Sequence, residues 1–122
     1  MNIRPTLYVG LICLACSGSA LAGDITASTP EQRAELQTRF MKDKLALTDA
    51  ATLAKLQAIN LKYAQQMEPV LKGDDSRLTR MSKARSIMSA KDVELKQILS
   101  PAQFETYDDT KDDLKTYMES HL

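Results

Sequence analysis

The chain has 122 residues, and its sixteen basic and sixteen acidic side chains balance to a formal net charge of zero. A length of this order accommodates one domain. An even charge balance argues against nucleic acid as the main partner, because nucleic-acid binding requires clustered positive charge. Both cysteines, Cys13 and Cys16, lie close to the amino terminus. A domain formed by the rest of the chain has no disulfide and must be held together by packing alone.

The first 22 residues have the three parts of a secretory signal peptide. A basic start that ends at Arg4 precedes an apolar run from Leu7 to Cys16, which is too short to span a bilayer. The small-x-small cleavage pattern follows at 20–22. We therefore expect residues 1–22 to be a cleaved signal peptide and residues 23–122 to form a single secreted domain with no stable membrane insertion.

Two other interpretations of this segment fit less well. A lipoprotein attached through Cys16 would favour a small residue two places before that cysteine, where Leu14 stands, and a leucine where Cys13 stands. An uncleaved membrane anchor disagrees with the good cleavage pattern.

From residue 30 onward the composition predicts an all-α fold of four helices, because glycine is rare and runs of β-branched residues are absent. Helix one begins near Pro30, where Ser28 and Glu31 have the spacing of a capping box. Helix two begins at Thr48 and carries apolar residues at spacings of three and four. They are Leu53, Leu56, Ile59, Tyr63, Met67 and Val70. Pro69 either ends this helix or bends it, and the two interpretations have equal support.

Gly73 predicts a left-handed end to helix two, and Asp75 or Ser76 predicts the cap of helix three. The expected core positions of helix three are Leu78, Met81, Met88, Leu95 and Ile98. Those of helix four are Phe104, Tyr107, Leu114, Tyr117 and Met118.

Two short phrases of the same design, one from Leu47 to Ala51 and one from Leu99 to Gln103, mark the expected starts of helices two and four. In the second phrase Ser100 is the cap, Pro101 occupies the first helical position and Gln103 closes a capping box. The first phrase offers Thr48 as the cap, but Ala51 stands where the glutamine belongs. The helix-capping residues predicted by the pair are Leu47, Thr48, Leu99, Ser100 and Gln103.

The paired phrases resemble the LTxxQ motif of the Spy and CpxP family of periplasmic proteins. The segments 55–72 (KLQAINLKYAQQMEPVLK) and 94–108 (ELKQILSPAQFETYD) are also similar to that family. The resemblance covers residues 36–114. It implies four helices in a thin, curved, helical-hairpin layer that forms an antiparallel homodimer, a periplasmic location, and ATP-independent binding of non-native proteins during envelope stress.

The residues themselves give little support to an enzyme, and we expect no catalytic residues, metal or cofactor. The domain expected after the signal peptide has no cysteine, and His121 is the only histidine of the chain. Some members of the Spy and CpxP family bind zinc or nickel through histidines, and a chain with one histidine supports that chemistry poorly. The carboxylates of Asp108, Asp109, Asp112 and Asp113 follow helical turns, not a calcium-binding loop, and are interpreted as a solvated face.

The predicted binding surface is the first half of helix three, where apolar and cationic residues alternate. Cationic groups would attract an acidic or unfolded partner, and flexible apolar groups would hold it weakly. The predicted client-binding residues are Arg77, Leu78, Arg80, Met81, Lys83, Arg85 and Met88.

Two functions therefore remain open. The first is a chaperone for unfolded or partly folded proteins. The second is a regulatory interaction module that docks on a single envelope stress-sensor protein. With few aromatic residues among its hundred residues, the expected domain has a thin core, which predicts a homodimer in either case.

Overall fold

In a computed structural model that describes residues 25–122, the chain forms five α-helices. They are α1 (Pro30–Lys44), α2 (Ala50–Lys72), α3 (Arg77–Ile98), α4 (Pro101–Asp109) and α5 (Lys111–His121), preceded by a short 3₁₀ helix (Ile25–Ala27). No strand occurs among these residues, so the all-α prediction is confirmed for them. The expected signal peptide, residues 1–22, lies outside the described part.

The core lies between α1, α2 and the carboxyl-terminal helices. α1 packs against α2 and α5, and α2 packs against α3 as a helical hairpin. The core is formed by Leu36, Phe40, Met41, Leu45, Leu47, Leu56, Leu95, Leu99, Tyr107, Leu114 and Met118. Most of the predicted apolar positions therefore do contribute to packing. Leu78 is the clear exception, because 80% of it is exposed. No helix within residues 25–122 is long and apolar enough to cross a membrane.

The prediction of four helices was wrong because the last one is divided at Thr110. This residue has backbone angles of φ −104° and ψ 11°, and its backbone N–H donates to the carbonyl oxygens of Thr106 and Tyr107. Its hydroxyl also donates to the carbonyl oxygens of Thr106 (2.8 Å) and Tyr107 (3.2 Å). A threonine that bonds back to the preceding turn competes with the regular helical pattern and favours a bend. Thr38, Thr106 and Thr116 make the same bond inside continuous helices, so this bond accompanies the break and does not by itself explain it.

The capping box that begins α1 lies one residue later than predicted. The Thr29 side chain accepts from the backbone N–H of Gln32, and the Gln32 side chain accepts from the backbone N–H of Thr29. Ser28 has a different role, since its buried side chain contacts Arg33.

The first LTxxQ-like phrase works differently from the prediction. Asp49, not Thr48, is the N-cap of α2, and its carboxylate accepts from the backbone N–H of Thr52 at 3.0 Å. Leu47 belongs to the end of α1, where its N–H donates to the carbonyl oxygen of Lys42 at 3.0 Å. Ala46 makes this turn in the left-handed region, with φ 50°. The geometry is that of a Schellman motif with alanine where glycine is usual.

The second phrase caps α4 as the sequence indicates. The Ser100 side chain accepts from the N–H of Gln103, and the Gln103 side chain accepts from the N–H of Ser100. Leu99 is buried and lines a surface depression together with Phe104.

At the turn between α2 and α3, Pro69 does not end the helix, because α2 continues to Lys72. Gly73 is not left-handed as predicted, since its φ is −78°. Glycine is favoured here for a steric reason instead, because a Cβ atom at this position would lie 2.6 Å from the carbonyl oxygen of Pro69. Ser76 caps α3 by accepting from the N–H of Thr79.

Candidate functional site

An open apolar groove lies where the end of α2 faces the start of α3, and we call it the α2–α3 groove. It has a volume of about 240 Å³. Its lining residues are Met67, Val70, Leu71, Arg77, Arg80, Met81 and Ala84. The groove forms because a short turn at Gly73 reverses the direction of the chain. The end of α2 and the start of α3 therefore lie side by side.

The groove is open because, in the part of the chain that the structure describes, no residue in the first half of α3 is buried. The two buried residues of α3, Lys91 and Leu95, both lie in its second half. In the first half, Met81 is 41% exposed at the groove. Exposed large apolar side chains that lie together in a groove are typical of binding surfaces.

Two arginines from the first turn of α3 add positive charge to the groove. Within residues 25–122, no carboxylate lies within ion-pair distance of Arg77 or Arg80. Lys83, one turn further on, is instead paired with Asp75, whose carboxylate lies 2.5 Å from Nζ. The groove therefore combines a flexible apolar floor with guanidinium groups available to an acidic partner.

The structure divides the predicted client-binding residues into four groups. Arg77, Arg80 and Met81 line the groove, and Met88 lines a neighbouring cavity. Leu78 and Arg85 are exposed but line neither of these spaces, and Lys83 is held by Asp75. The sequence analysis missed the α2 wall, because it interpreted Met67 and Val70 as ordinary core positions of a long helix and did not single out Leu71.

The neighbouring cavity, which we call the Lys91 cavity, has a volume of about 420 Å³. It shares Met67, Leu71 and Ala84 with the groove, so the two form one continuous apolar surface. The other lining residues are Ile25, Arg33, Gln37, Tyr63, Ala64, Met88, Lys91, Lys115 and Met118.

Lys91 is the most unusual residue of this surface, because only 2% of it is exposed. Its Nζ atom donates a hydrogen bond to Oε1 of Gln37 at 2.7 Å. Burial lowers the pKa of Lys91 to about 8, against the opposing effect of the Asp92 carboxylate, and Lys111 lowers it further. The helical spacing of the sequence already marks this position as buried. Lys91 stands at helical spacing between Met88 and Leu95, where an apolar residue is expected.

Arg33 closes the end of the Lys91 cavity with a network of hydrogen bonds. It is 3% exposed and donates to the carbonyl oxygen of Ser28 at 2.7 Å and to that of Ala64 at 3.4 Å. It also forms an ion pair with Glu68. Hydrogen bonds from Lys72 and then from Arg33 hold the pKa of Glu68 below its usual value. The charge of Arg33 is therefore already matched by a carboxylate.

The acidic residues near the end of the chain do not form a metal centre. Among residues 25–122, no three His, Cys, Asp or Glu side chains come together in a way that could hold a metal ion.

Comparison with known families places the chain in one of them. A family model described as "Domain of unknown function (DUF4890)" matches residues 22–107, and the chain belongs to this family. The matched region includes the groove and all but two lining residues of the Lys91 cavity, whereas α5 lies beyond it. No curated protein and no solved structure matches the chain.

Proposed function

We propose that this protein is an ATP-independent periplasmic chaperone that binds non-native proteins during envelope stress. The observation that carries the proposal is the α2–α3 groove, which is apolar, open and flanked by two arginines without an ion pair in the described residues. The resemblance of two sequence phrases to the LTxxQ motif of the Spy and CpxP family supports the same function.

The side chains of the groove suit weak binding to many partners. Met67 and Met81 lie on opposite walls, and methionine adapts its shape to different apolar groups at little cost. Arg77 and Arg80 would increase the rate at which acidic or unfolded chains arrive, because exposed charges act over roughly 8–10 Å at physiological ionic strength. Binding of this kind requires neither a nucleotide nor a catalytic residue.

A thin, curved homodimer with antiparallel subunits is the assembly that we propose for this function. Within the described chain, no residue in the first half of α3 is buried by the hairpin of α2 and α3. Pairing of two such hairpins would cover apolar surface that a core of this size cannot enclose. Sedimentation equilibrium at micromolar concentration should show a dimer, and a stable monomer would contradict this part of the proposal.

The test is an aggregation assay in the absence of nucleotide. Three unrelated, chemically unfolded proteins are diluted into buffer with and without the purified protein, and light scattering is followed. We expect suppression of scattering for all three. Tight binding to one envelope sensor without suppression would support the regulatory module instead and would overturn the chaperone proposal.

A pair of matched variants connects the assay to the groove. Met81→Ser removes an apolar group from the groove, whereas Val93→Ser removes one from an exposed position of the same helix that lines neither space. Met81→Ser should weaken suppression several-fold, and Val93→Ser should leave it unchanged. Equal effects of the two substitutions would exclude the groove as the binding surface.

A further inference from the structure

The Lys91 cavity has the composition of a small-molecule site. Its volume of about 420 Å³ lies within the range of roughly 300–1,000 Å³ that is usual for ligand pockets. Its walls are formed mainly by apolar side chains of α2, α3 and α5, among them Met67, Leu71, Met88 and Met118. A few polar groups converge on the apolar walls, which is the usual arrangement for binding a ligand in one orientation.

The polar groups of the cavity leave one buried positive charge without a matching carboxylate. Within residues 25–122, the side chain of Lys91 makes a single hydrogen bond, to the neutral amide of Gln37, and no ion pair. A buried ammonium has three donors, and its burial is costly unless an anion faces it.

Neighbouring carboxylates do not fill this role. Asp92 accepts a hydrogen bond from the Tyr107 hydroxyl at 3.1 Å and pairs with Lys111 at 2.7 Å. Glu68 pairs with Arg33 and Lys72. A second cation, Lys115, lines the cavity and forms no ion pair within residues 25–122. Among the residues that the structure describes, the cavity lining therefore has an excess of positive charge.

We infer that the Lys91 cavity binds an amphipathic carboxylate, such as a medium-chain fatty acid, with the carboxylate at Lys91 and the chain along the methionine-lined wall. The anion supplies the acceptors that Lys91 lacks, and the hydrocarbon covers Met67, Met88 and Met118. A polypeptide fits this site less well, because the polar groups of its backbone would find few partners among apolar walls. The inference goes beyond the proposed chaperone function and does not depend on it.

The test measures binding of sodium decanoate to the purified protein by calorimetry, below the concentration at which decanoate forms micelles. We expect one decanoate per chain. Lys91→Met should weaken binding at least tenfold. The control Lys55→Met removes an exposed lysine of α2 that lines no part of the cavity, and it should bind as the wild type does.

A second comparison uses the wild type alone, so it remains decisive if a variant does not fold. Decanol has a similar chain and no charge, and decyltrimethylammonium has the opposite charge. Decanoate should bind at least tenfold more tightly than either. The inference is overturned if decanoate does not bind, if the neutral or cationic compound binds equally well, or if a folded Lys91→Met variant retains wild-type affinity. None of these outcomes involves aggregation, so a failure here is distinguishable from a failure of the proposed function.

Discussion

Lys91 of α3 and Gln37 of α1, 54 positions apart in the sequence, are joined by a hydrogen bond of 2.7 Å between Nζ and Oε1. This bond places a cationic group beside the apolar side chains that α2, α3 and α5 contribute to the cavity. Because the amide of Gln37 is neutral, it satisfies one donor of the lysine but not its charge. The burial of Lys91 therefore lowers the free energy of unfolding, and denaturation experiments can measure this effect.

The first prediction concerns the pH dependence of stability. Burial lowers the pKa of Lys91 in the folded protein to about 8, from its usual value of 10.5 in an unfolded chain. Between these values the unfolded chain binds a proton that the folded chain has released, so the free energy of unfolding rises with pH. We expect a rise of roughly 2 kcal/mol between pH 8 and pH 10 in urea denaturation, since one pKa unit corresponds to about 1.4 kcal/mol. Above pH 10 the trend should weaken, because burial raises the pKa of Tyr107 and the unfolded tyrosine ionises first.

The same measurement on two variants assigns the effect to Lys91. Lys91→Met should be more stable than the wild type at pH 7 and should lose most of the rise between pH 8 and pH 10. Lys55→Met should keep the rise, because Lys55 is exposed. The remaining charged groups around the cavity, Arg33, Lys111 and Lys115, are unchanged in both variants. A rise of the same size in Lys91→Met would exclude Lys91 as its source.

The second prediction concerns Arg33, which joins the start of α1 to α2. Arg33→Ala removes hydrogen bonds to Ser28 and Ala64 and the ion pair with Glu68. Since buried acceptors are left without donors, we expect a loss of about 2–4 kcal/mol in the free energy of unfolding. Arg39→Ala is the control, because Arg39 is exposed and pairs only with Glu35 on its own helix. A loss below about 1 kcal/mol in Arg33→Ala would contradict the role of this network.

The third prediction separates the two capping candidates of α2. Asp49→Ala removes the side chain that accepts from Thr52, so the melting temperature should fall by roughly 4–8 °C. Thr48→Ala should have almost no effect, because Thr48 is exposed and lies outside the cap. Ser100→Ala should behave like Asp49→Ala, since Ser100 does cap α4. A larger fall in Thr48→Ala than in Asp49→Ala would show that α2 begins one residue earlier.

The fourth prediction concerns the left-handed alanine between α1 and α2. Ala46→Gly should raise the free energy of unfolding by a few tenths to about 1 kcal/mol, because glycine adopts a positive φ without the steric cost that alanine has. The gain is partly offset by the greater freedom of glycine in the unfolded chain. Ala58→Gly in the exposed middle of α2 is the control and should destabilise. A loss of stability in both variants would contradict the observed turn.

The local elements of this fold are predictable from the sequence, and the failures have physical reasons. Ser100, Pro101 and Gln103 specify one cap without ambiguity. At the start of α2, Thr48 and Asp49 are both good caps, and the choice depends on Leu47 being held by the Schellman turn of α1. The hydroxyl of Thr110 bonds back to its own helix, as those of Thr106 and Thr116 do without a break, so composition does not reveal the division at Thr110.

The site was harder to predict because its walls come from distant parts of the sequence. The basic and apolar residues at the start of α3 predicted one wall of the groove. Met67 and Val70 of α2 were predicted as core positions, and they form a wall only because the turn at Gly73 places α3 beside them. The spacing of Lys91 between Met88 and Leu95 indicates a buried position, but its partner Gln37 comes from a distant helix and is known only from the structure.

Site-specific photocrosslinking from the α2–α3 groove tests most directly whether this groove binds non-native proteins. A benzophenone amino acid replaces Met81 in one protein and, as a control, Val93 in another, both exposed positions of α3. Each protein is mixed with several unrelated proteins, in native or chemically unfolded form, and irradiated. We expect position 81 to crosslink to the unfolded forms of all these proteins and only weakly to their native forms. Position 93 should give few crosslinks to either form. Equal crosslinking from both positions, or crosslinks from position 81 to native proteins only, would contradict the binding of non-native proteins at this groove.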